Sequence, residues 1–137
     1  LSNDPDNHEL MVRERAEKVA RVARVIPELE VDGDPSGELL IVGWGGTYGH
    51  ILSAVQQMRE EGRNVSFAHF DYICPLPANT EKVFSGFRRI IVCELNSGQF
   101  ADYLRAKLPG YEYLQCNKIQ GQTFLVRDIV ECVTENA

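Results

Sequence analysis

The sequence lacks the features of several large protein classes. It has no excess of positive charge, since 14 lysines and arginines stand against 20 aspartates and glutamates, for a net charge of -6. Such a chain repels phosphate backbones and anionic lipid surfaces, which argues against nucleic acid as a partner. It also has neither an apolar run of the roughly 18 residues that span a membrane nor a charged-then-apolar leader. We therefore expect a cytoplasmic protein that binds neither nucleic acid nor membrane.

The four cysteines are not spaced as a metal-ligand set. Cys74, Cys93, Cys116 and Cys132 form no CxxC pair and have no histidine pattern beside them. Metal sites and redox motifs depend on such short spacings. The spacing therefore predicts four structural thiols in a reducing compartment, and no metal site.

The length and hydrophobic content suffice for one domain with a buried core, at 137 residues and 44% hydrophobic. Apolar positions three and four apart predict a first helix in the stretch HELMVRERAEKVARVARVIP, which Pro27 ends. A turn-rich segment follows. We therefore expect an N-terminal helix and linker with a possible edge strand at 1–37, and an α/β domain at 38–137.

Strand and helix patterns alternate from residue 39 onward. The predicted strands are 39–43, 65–70, 89–94 and 111–115, and the predicted helices are 48–61, 79–87, 99–108 and 125–135. Two of the strands are apolar at consecutive positions, as in a parallel sheet that helices cover on both faces. This order predicts right-handed crossovers and a three-layer α/β/α sandwich.

The stretch LLIVGWGGTYGHIL runs from a strand through glycines into a helix, which is the order that a dinucleotide-binding fold requires. That fingerprint needs glycine or alanine five residues after its first glycine, and counting from Gly43 this position is Tyr48. We expect instead that the glycines allow a tight turn with positive φ and that Thr47 caps the helix. Cofactor binding at Gly45, Gly46 and Thr47 stays open as a weaker alternative.

The loops that follow the strands are rich in amides and glycines. In a parallel sheet these loops gather at one edge, where ligands and partners bind. Amides bind through hydrogen bonds and are poor bases or nucleophiles, and His50 and His69 belong to no recognisable catalytic triad. Glu94 is either a base or, more commonly for such a position, a cap for the next turn. We predict no catalytic residue, and a docking face made of Tyr48, Asp71, Glu94, Asn96, Gln99, Asn117, Lys118, Gln120 and Gln122.

Four segments carry a family resemblance: VGWGGTYGHILSAV, CPLP, VCELNSGQFADYLR and NKIQGQTF. Their order and spacing strongly resemble the C-terminal part of the alpha subunit of 2-oxoacid:ferredoxin oxidoreductases, with the 2-oxoglutarate branch as the best match. The resemblance covers essentially the whole chain and implies a fragment of a longer polypeptide. It also implies a fold like the transketolase C-terminal domain, with about five strands, of which the first, expected at 28–31, is antiparallel.

In that family the complete enzymes oxidatively decarboxylate a 2-oxoacid with coenzyme A, using thiamine diphosphate, Mg²⁺ and iron-sulfur clusters to reduce ferredoxin. The resemblance implies no cofactor in this fragment and a non-catalytic structural and docking role. Its expected partners are the other domains of the alpha subunit and the thiamine-binding beta subunit, with ferredoxin as the acceptor of the complete enzyme. Two other functions stay open: a free-standing nucleotide-binding domain, and an interaction module with no connection to an enzyme.

Overall fold

The structure is a computed structural model that describes residues 5–95, 97–117 and 126–136. Its elements, in chain order, are α1 (Pro5–Ala23), β1 (Gly37–Trp44), a 3₁₀ turn (Gly45–Thr47), α2 (Tyr48–Glu60), β2 (Ser66–Phe70), α3 (Thr80–Phe84), β3 (Phe87–Glu94), α4 (Gln99–Lys107), β4 (Glu112–Asn117) and α5 (Val126–Asn136).

The four strands form one parallel sheet in the order β2-β1-β3-β4. Ile41 in β1 is in register with Phe67 of β2 on one side and with Ile91 of β3 on the other. Cys93 of β3 is in register with Cys116 of β4. The predicted α/β class is therefore confirmed, and the division of the chain at residue 37 stays a prediction.

The sheet has two cores, one on each face. On one face α2 and α5 bury Ile51 and Ile129 against Ile41 of the sheet. On the other face α3 and α4 pack against the sheet, with Phe100 near Leu40. These are the three layers that the alternating pattern predicted, and they explain why the central strands are apolar at consecutive positions.

The linker before β1 contains an isolated bridge where the resemblance implied a fifth strand. Asp32 pairs antiparallel with Phe67, and its N–H donates to the Phe67 carbonyl at 2.7 Å. Residues 28–31 are not a strand, because the Asn79 side chain takes both hydrogen-bonding groups of Leu29, at 2.7 and 2.9 Å. In the part of the chain that the structure describes, the linker therefore makes main-chain hydrogen bonds with the free edge of β2 only at Asp32, while the Ser66 hydroxyl donates to the Asp34 carbonyl at 2.7 Å.

Two of the four cysteines are joined, which corrects the prediction of four thiols. Cys116 at the end of β4 and Cys132 in α5 form a disulfide. The topology folds α5 back toward β4, so sequence spacing could not reveal this pair. Cys93 is a buried free thiol, as expected for a structural residue, and Cys74 is an exposed one.

Helix α1 contributes none of its described side chains to either core. Its exposed large hydrophobic residues are Leu10, Met11, Val12, Val19 and Val22. In the part of the chain that the structure describes, α1 included, no helix combines the length and the apolar content needed to cross a membrane.

Candidate functional site

The glycine turn after β1 uses its glycines for two different purposes. Gly45 has a φ of 64°, which favours glycine, whereas Gly43 and Gly46 lie outside that left-handed region. A Cβ at Gly43 would meet Ile51 Cδ1 and would lie 2.8 Å from Thr47 Oγ1. The expectation of positive φ is therefore right for Gly45 and wrong for the other two, and Gly43 allows α2 to pack closely on β1.

Thr47 stands at the predicted cap position of α2, but its side chain does not cap the helix. Its hydroxyl is buried and donates to the Trp44 carbonyl at 3.0 Å, with no hydrogen bond to an α2 amide. Gly45 and Gly46 have open space beside them, because an added Cβ would meet nothing within 4 Å. Cofactor binding by these three residues stays a prediction that would have to use backbone amides.

Glu94, at the end of β3, is a fully buried carboxylate with three hydrogen bonds. Oε1 accepts from the Phe100 N–H at 2.6 Å and from Trp44 Nε1 at 3.1 Å, and Oε2 accepts from the Ala101 N–H at 3.0 Å. Two of these donors belong to the first turn of α4, where backbone amides and the helix dipole favour an anion. Burial, together with the charge of Glu94, raises the pKa of the Cys93 thiol to about 12.

The docking assignment of Glu94 is therefore corrected. A side chain with no exposed surface cannot contact a partner. The alternative of a structural cap is the one that the structure supports.

The ends of β3 and β4 meet beside the start of α4, as the parallel sheet predicted. Gly98 has a φ of 99°, and a Cβ there would collide with Gln115 Nε2 and lie 3.3 Å from Asn117 Nδ2. Gln115 Oε1 accepts from Arg105 Nη2 at 3.1 Å. Gln99 and Asn117 are both exposed, so the structure leaves their docking role possible, and it stays a prediction.

The end of β2 carries a cluster that sequence reasoning did not find. His69 Nε2 lies 3.7 Å from Asp71 Oδ1. The Tyr48 ring packs edge-on against His69, with 5.1 Å between ring centroids, and lies 5.8 Å from the Phe67 ring. Burial lowers the pKa of His69, and the smaller opposing effect comes from Asp71. The available signal was the spacing of His69 and Asp71, two residues apart and therefore on one side of a strand.

Tyr48 and Asp71 are thus brought to one place and are both exposed. The other predicted docking residues, Asn96, Lys118, Gln120 and Gln122, lie outside the described residues. Within residues 5–95, 97–117 and 126–136, no three histidine, cysteine, aspartate or glutamate side chains are grouped so as to hold a metal ion.

Comparison with known proteins supplies a family. The family model of the pyruvate:ferredoxin oxidoreductase core domain II matches residues 37–129. The chain is 40% identical over 131 residues to the 2-oxoglutarate oxidoreductase subunit KorA of Mycobacterium tuberculosis, an alignment that covers 94% of this chain. The chain spans only 19% of the length of that relative.

Two solved structures share the fold. A 2-oxoglutarate:ferredoxin oxidoreductase from Magnetococcus marinus, with 2-oxoglutarate, coenzyme A and succinyl-CoA bound, matches with a TM-score of 0.85 and 29% identity. That match covers 98% of this chain and 24% of the other. A split-gene transketolase, an inactive beta4 tetramer, matches with a TM-score of 0.59 and 14% identity over 77% of this chain and 40% of its own, which shows the fold alone.

Proposed function

The chain belongs to the pyruvate:ferredoxin oxidoreductase core domain II family, and from this premise we propose that it is a non-catalytic structural and docking domain of a 2-oxoacid:ferredoxin oxidoreductase alpha subunit. The complete enzyme would oxidatively decarboxylate a 2-oxoacid, with 2-oxoglutarate as the expected substrate, to an acyl-CoA while it reduces ferredoxin. The 2-oxoglutarate in the names of the Mycobacterium and Magnetococcus proteins supports this substrate.

The state of Glu94 carries the non-catalytic part of the proposal. Among the described residues, Glu94 is the one charged side chain that is buried, and both of its oxygens accept hydrogen bonds from neighbouring N–H groups. A general base must be able to reach a substrate proton. The Glu94 carboxylate has no exposed surface and accepts hydrogen bonds from the start of α4 and from the Trp44 indole, so its role is structural.

The cofactors of such an enzyme would be held elsewhere. Iron-sulfur clusters need several cysteine thiolates, but Cys116 and Cys132 are joined and Cys93 is buried, which leaves only Cys74 exposed and free. The described residues also contain no group of three or more histidine, cysteine, aspartate or glutamate side chains placed to hold a metal ion. We assign thiamine diphosphate, Mg²⁺ and the iron-sulfur clusters to other domains or to the beta subunit. Coenzyme A would be the co-substrate of the complete enzyme and ferredoxin its electron acceptor. The proposed location of the enzyme is the cytoplasm.

The test compares the isolated chain with the same chain inside its subunit. The 137-residue chain alone should show no 2-oxoglutarate-dependent reduction of ferredoxin and no heat of binding with thiamine diphosphate. Co-expressed with the remaining alpha-subunit domains and the beta subunit, it should co-purify with them. Turnover by the isolated chain, or failure to associate, would contradict the proposal.

Nucleotide binding at the glycine turn is the second candidate, and the open space beside Gly45 and Gly46 favours it. Calorimetry with NAD, FAD and coenzyme A tests it on the isolated chain. A heat of binding that is lost in Gly45→Val and kept in Gly49→Ala would establish this candidate. Equal absence of heat in all three proteins would remove it.

A further inference from the structure

A cleft of about 800 Å³ lies between the linker before β1 and the free edge of β2. One wall is the linker, and the other is formed by the end of β2, the start of α2 and the residues that follow β2. We call this cleft the acidic cleft. The residues that define it are Glu28, Glu30, Tyr48, His69, Asp71 and Tyr72.

The cleft has an excess of negative charge. Besides Glu28, Glu30 and Asp71, Asp32 also lines it, and no lysine or arginine does so among the described residues. Arg59 Nη1 lies 2.9 Å from Asp32 Oδ1 and neutralises that carboxylate. The other three carboxylates have no lysine or arginine within 4 Å in the part of the chain that the structure describes, which leaves a local preference for a cation.

His69 does not supply the missing positive charge. Its Nδ1 is shielded from solvent and has no hydrogen-bond partner, so a proton there would be a buried donor without an acceptor. The lowered pKa of His69, caused first by burial, acts in the same direction. The imidazole is therefore neutral at pH 7, and the carboxylates around it stay uncompensated.

Two tyrosine rings are partly open to the cleft. Tyr48 is 50% exposed and Tyr72 is 46% exposed, although both are large side chains that burial would stabilise. Aromatic faces attract ammonium and guanidinium groups within about 6 Å of the ring centre. Rings and carboxylates together fit a lysine or arginine side chain better than an anion or a neutral apolar group.

The edge of β2 adds a feature that recognises polypeptide. The N–H and C=O of Phe67 both bond to Asp32, so they point away from β1. Because alternate residues of a strand point the same way, the N–H and C=O of His69 also face outward. No backbone partner for them is found among the described residues. An open strand edge of this kind accepts an extended segment by main-chain hydrogen bonds.

We propose that the acidic cleft is the docking site for an extended, basic polypeptide segment of a neighbouring domain or subunit. The main chain of that segment pairs with His69 at the edge of β2, and a lysine or arginine side chain enters the cleft toward Glu28, Glu30 and Asp71. This inference rests on the proposed docking function and names the chemistry of the partner.

The test uses two probe peptides and the isotope-labelled 137-residue chain. One probe is acetyl-Thr-Val-Lys-Val-Thr-amide, and the other carries norleucine in place of lysine, which keeps the length and removes the charge. In an NMR titration at low salt, the lysine peptide should shift the signals of Tyr48, His69 and Tyr72. The norleucine peptide should bind at least about 5-fold more weakly, a loss of about 1 kcal/mol.

Variants locate the binding. Glu28→Gln/Glu30→Gln should weaken the lysine peptide by about 5-fold or more, because two exposed carboxylates of the cleft lose their charge. The matched control Glu60→Gln/Glu131→Gln removes two exposed carboxylates from α2 and α5 and should leave the affinity unchanged. Equal binding of both peptides, or an equal loss in both double variants, overturns the proposal. So does tight binding of n-butylammonium alone, which would assign the cleft to small cations.

Failure here can be told apart from failure of the docking function. If both peptides bind equally well but the chain still co-purifies with the remaining subunit domains, the docking function is kept and the basic segment is rejected. If the wild-type chain associates with none of them, the proposed function itself falls.

Discussion

Two regions of the carboxyl edge of the sheet, called here the β3–α4 end and the β2 end, differ in how their polar groups are satisfied. At the β3–α4 end, Glu94 is fully buried and both oxygens are used by N–H donors of the same chain. At the β2 end, Asp71 is 80% exposed and His69 Nδ1 has no partner. At Glu94 the first end is complete by itself, whereas the second end leaves Asp71 and His69 Nδ1 for something else to satisfy. Removal of a charge should therefore change stability at the first end and binding at the second.

The strongest way to break this comparison is Glu94→Ala. The change leaves the Phe100 and Ala101 amides and the Trp44 indole without their acceptor in a buried place. We expect a loss of about 3–5 kcal/mol in the free energy of unfolding. Urea unfolding of the purified variant measures it.

Two further variants show whether that loss belongs to the carboxylate. Glu94→Gln keeps one oxygen acceptor but turns an NH₂ group toward a donor, so it should cost less, about 1–3 kcal/mol. Glu60→Ala, at an exposed position of α2, should stay within about 0.5 kcal/mol of wild type. A loss in Glu94→Ala as small as in Glu60→Ala would mean that the β3–α4 end is no more complete than the β2 end.

The next largest effect concerns the disulfide, which lies close to the complete end. Cys116 and Cys132 are 16 residues apart, and closing a loop of that size stabilises a fold by about 3 kcal/mol. Cys116→Ser/Cys132→Ser should lose about this amount of unfolding free energy. In urea unfolding, dithiothreitol should destabilise the wild type and leave the double variant unchanged. If the reductant leaves wild type unchanged, the cysteines are reduced thiols after all, as their spacing had predicted.

Gly43→Ala should have a smaller but clear effect on the packing behind the glycine turn. Its Cβ would meet Ile51 Cδ1 and lie 2.8 Å from Thr47 Oγ1, so these side chains or α2 itself must shift. Overpacking of this kind costs about 1–3 kcal/mol. Gly49→Ala is the matched control, because its Cβ meets nothing within 4 Å and alanine favours a helix by up to about 1 kcal/mol. Equal stability of the two variants would show that close packing at Gly43 is unimportant.

The order of strands and helices could be predicted because it depends on local hydrophobic periodicity. The strand expected at 28–31 is wrong, and local sequence could not reveal this, because the Asn79 side chain holds Leu29 from 50 residues away. The family resemblance, which rested on the motifs in their order, is confirmed by the match over residues 37–129.

The site was harder to predict than the fold. The sequence singled out Glu94 but could not decide its role, because its indole donor, Trp44, is brought beside it by the pairing of β1 with β3. His69 was set aside because it belonged to no recognisable catalytic triad, and its contact with Tyr48 could not be foreseen because Tyr48 comes from another element. Contacts between distant segments are set by topology, which residue types and spacing alone do not reveal.

The smallest effect is a pH dependence at the incomplete end, and it sharpens the comparison because it reports the charge of His69. The pKa of His69 is lowered from 6.5, so the unfolded chain binds more protons as pH falls through 6.5. This part of the stability is therefore present above pH 6.5 and is lost as pH falls toward the lowered pKa. Between about pH 7.5 and about pH 5.5, wild type should lose more stability than His69→Gln.

Asp71→Asn removes the charge that opposes the shift and should lower the pKa of His69 further in an NMR titration, whereas Asp102→Asn on α4 should not. A pKa of His69 above 6.5 would put a positive charge beside Asp71, and the acidic cleft would then lose its preference for a basic segment.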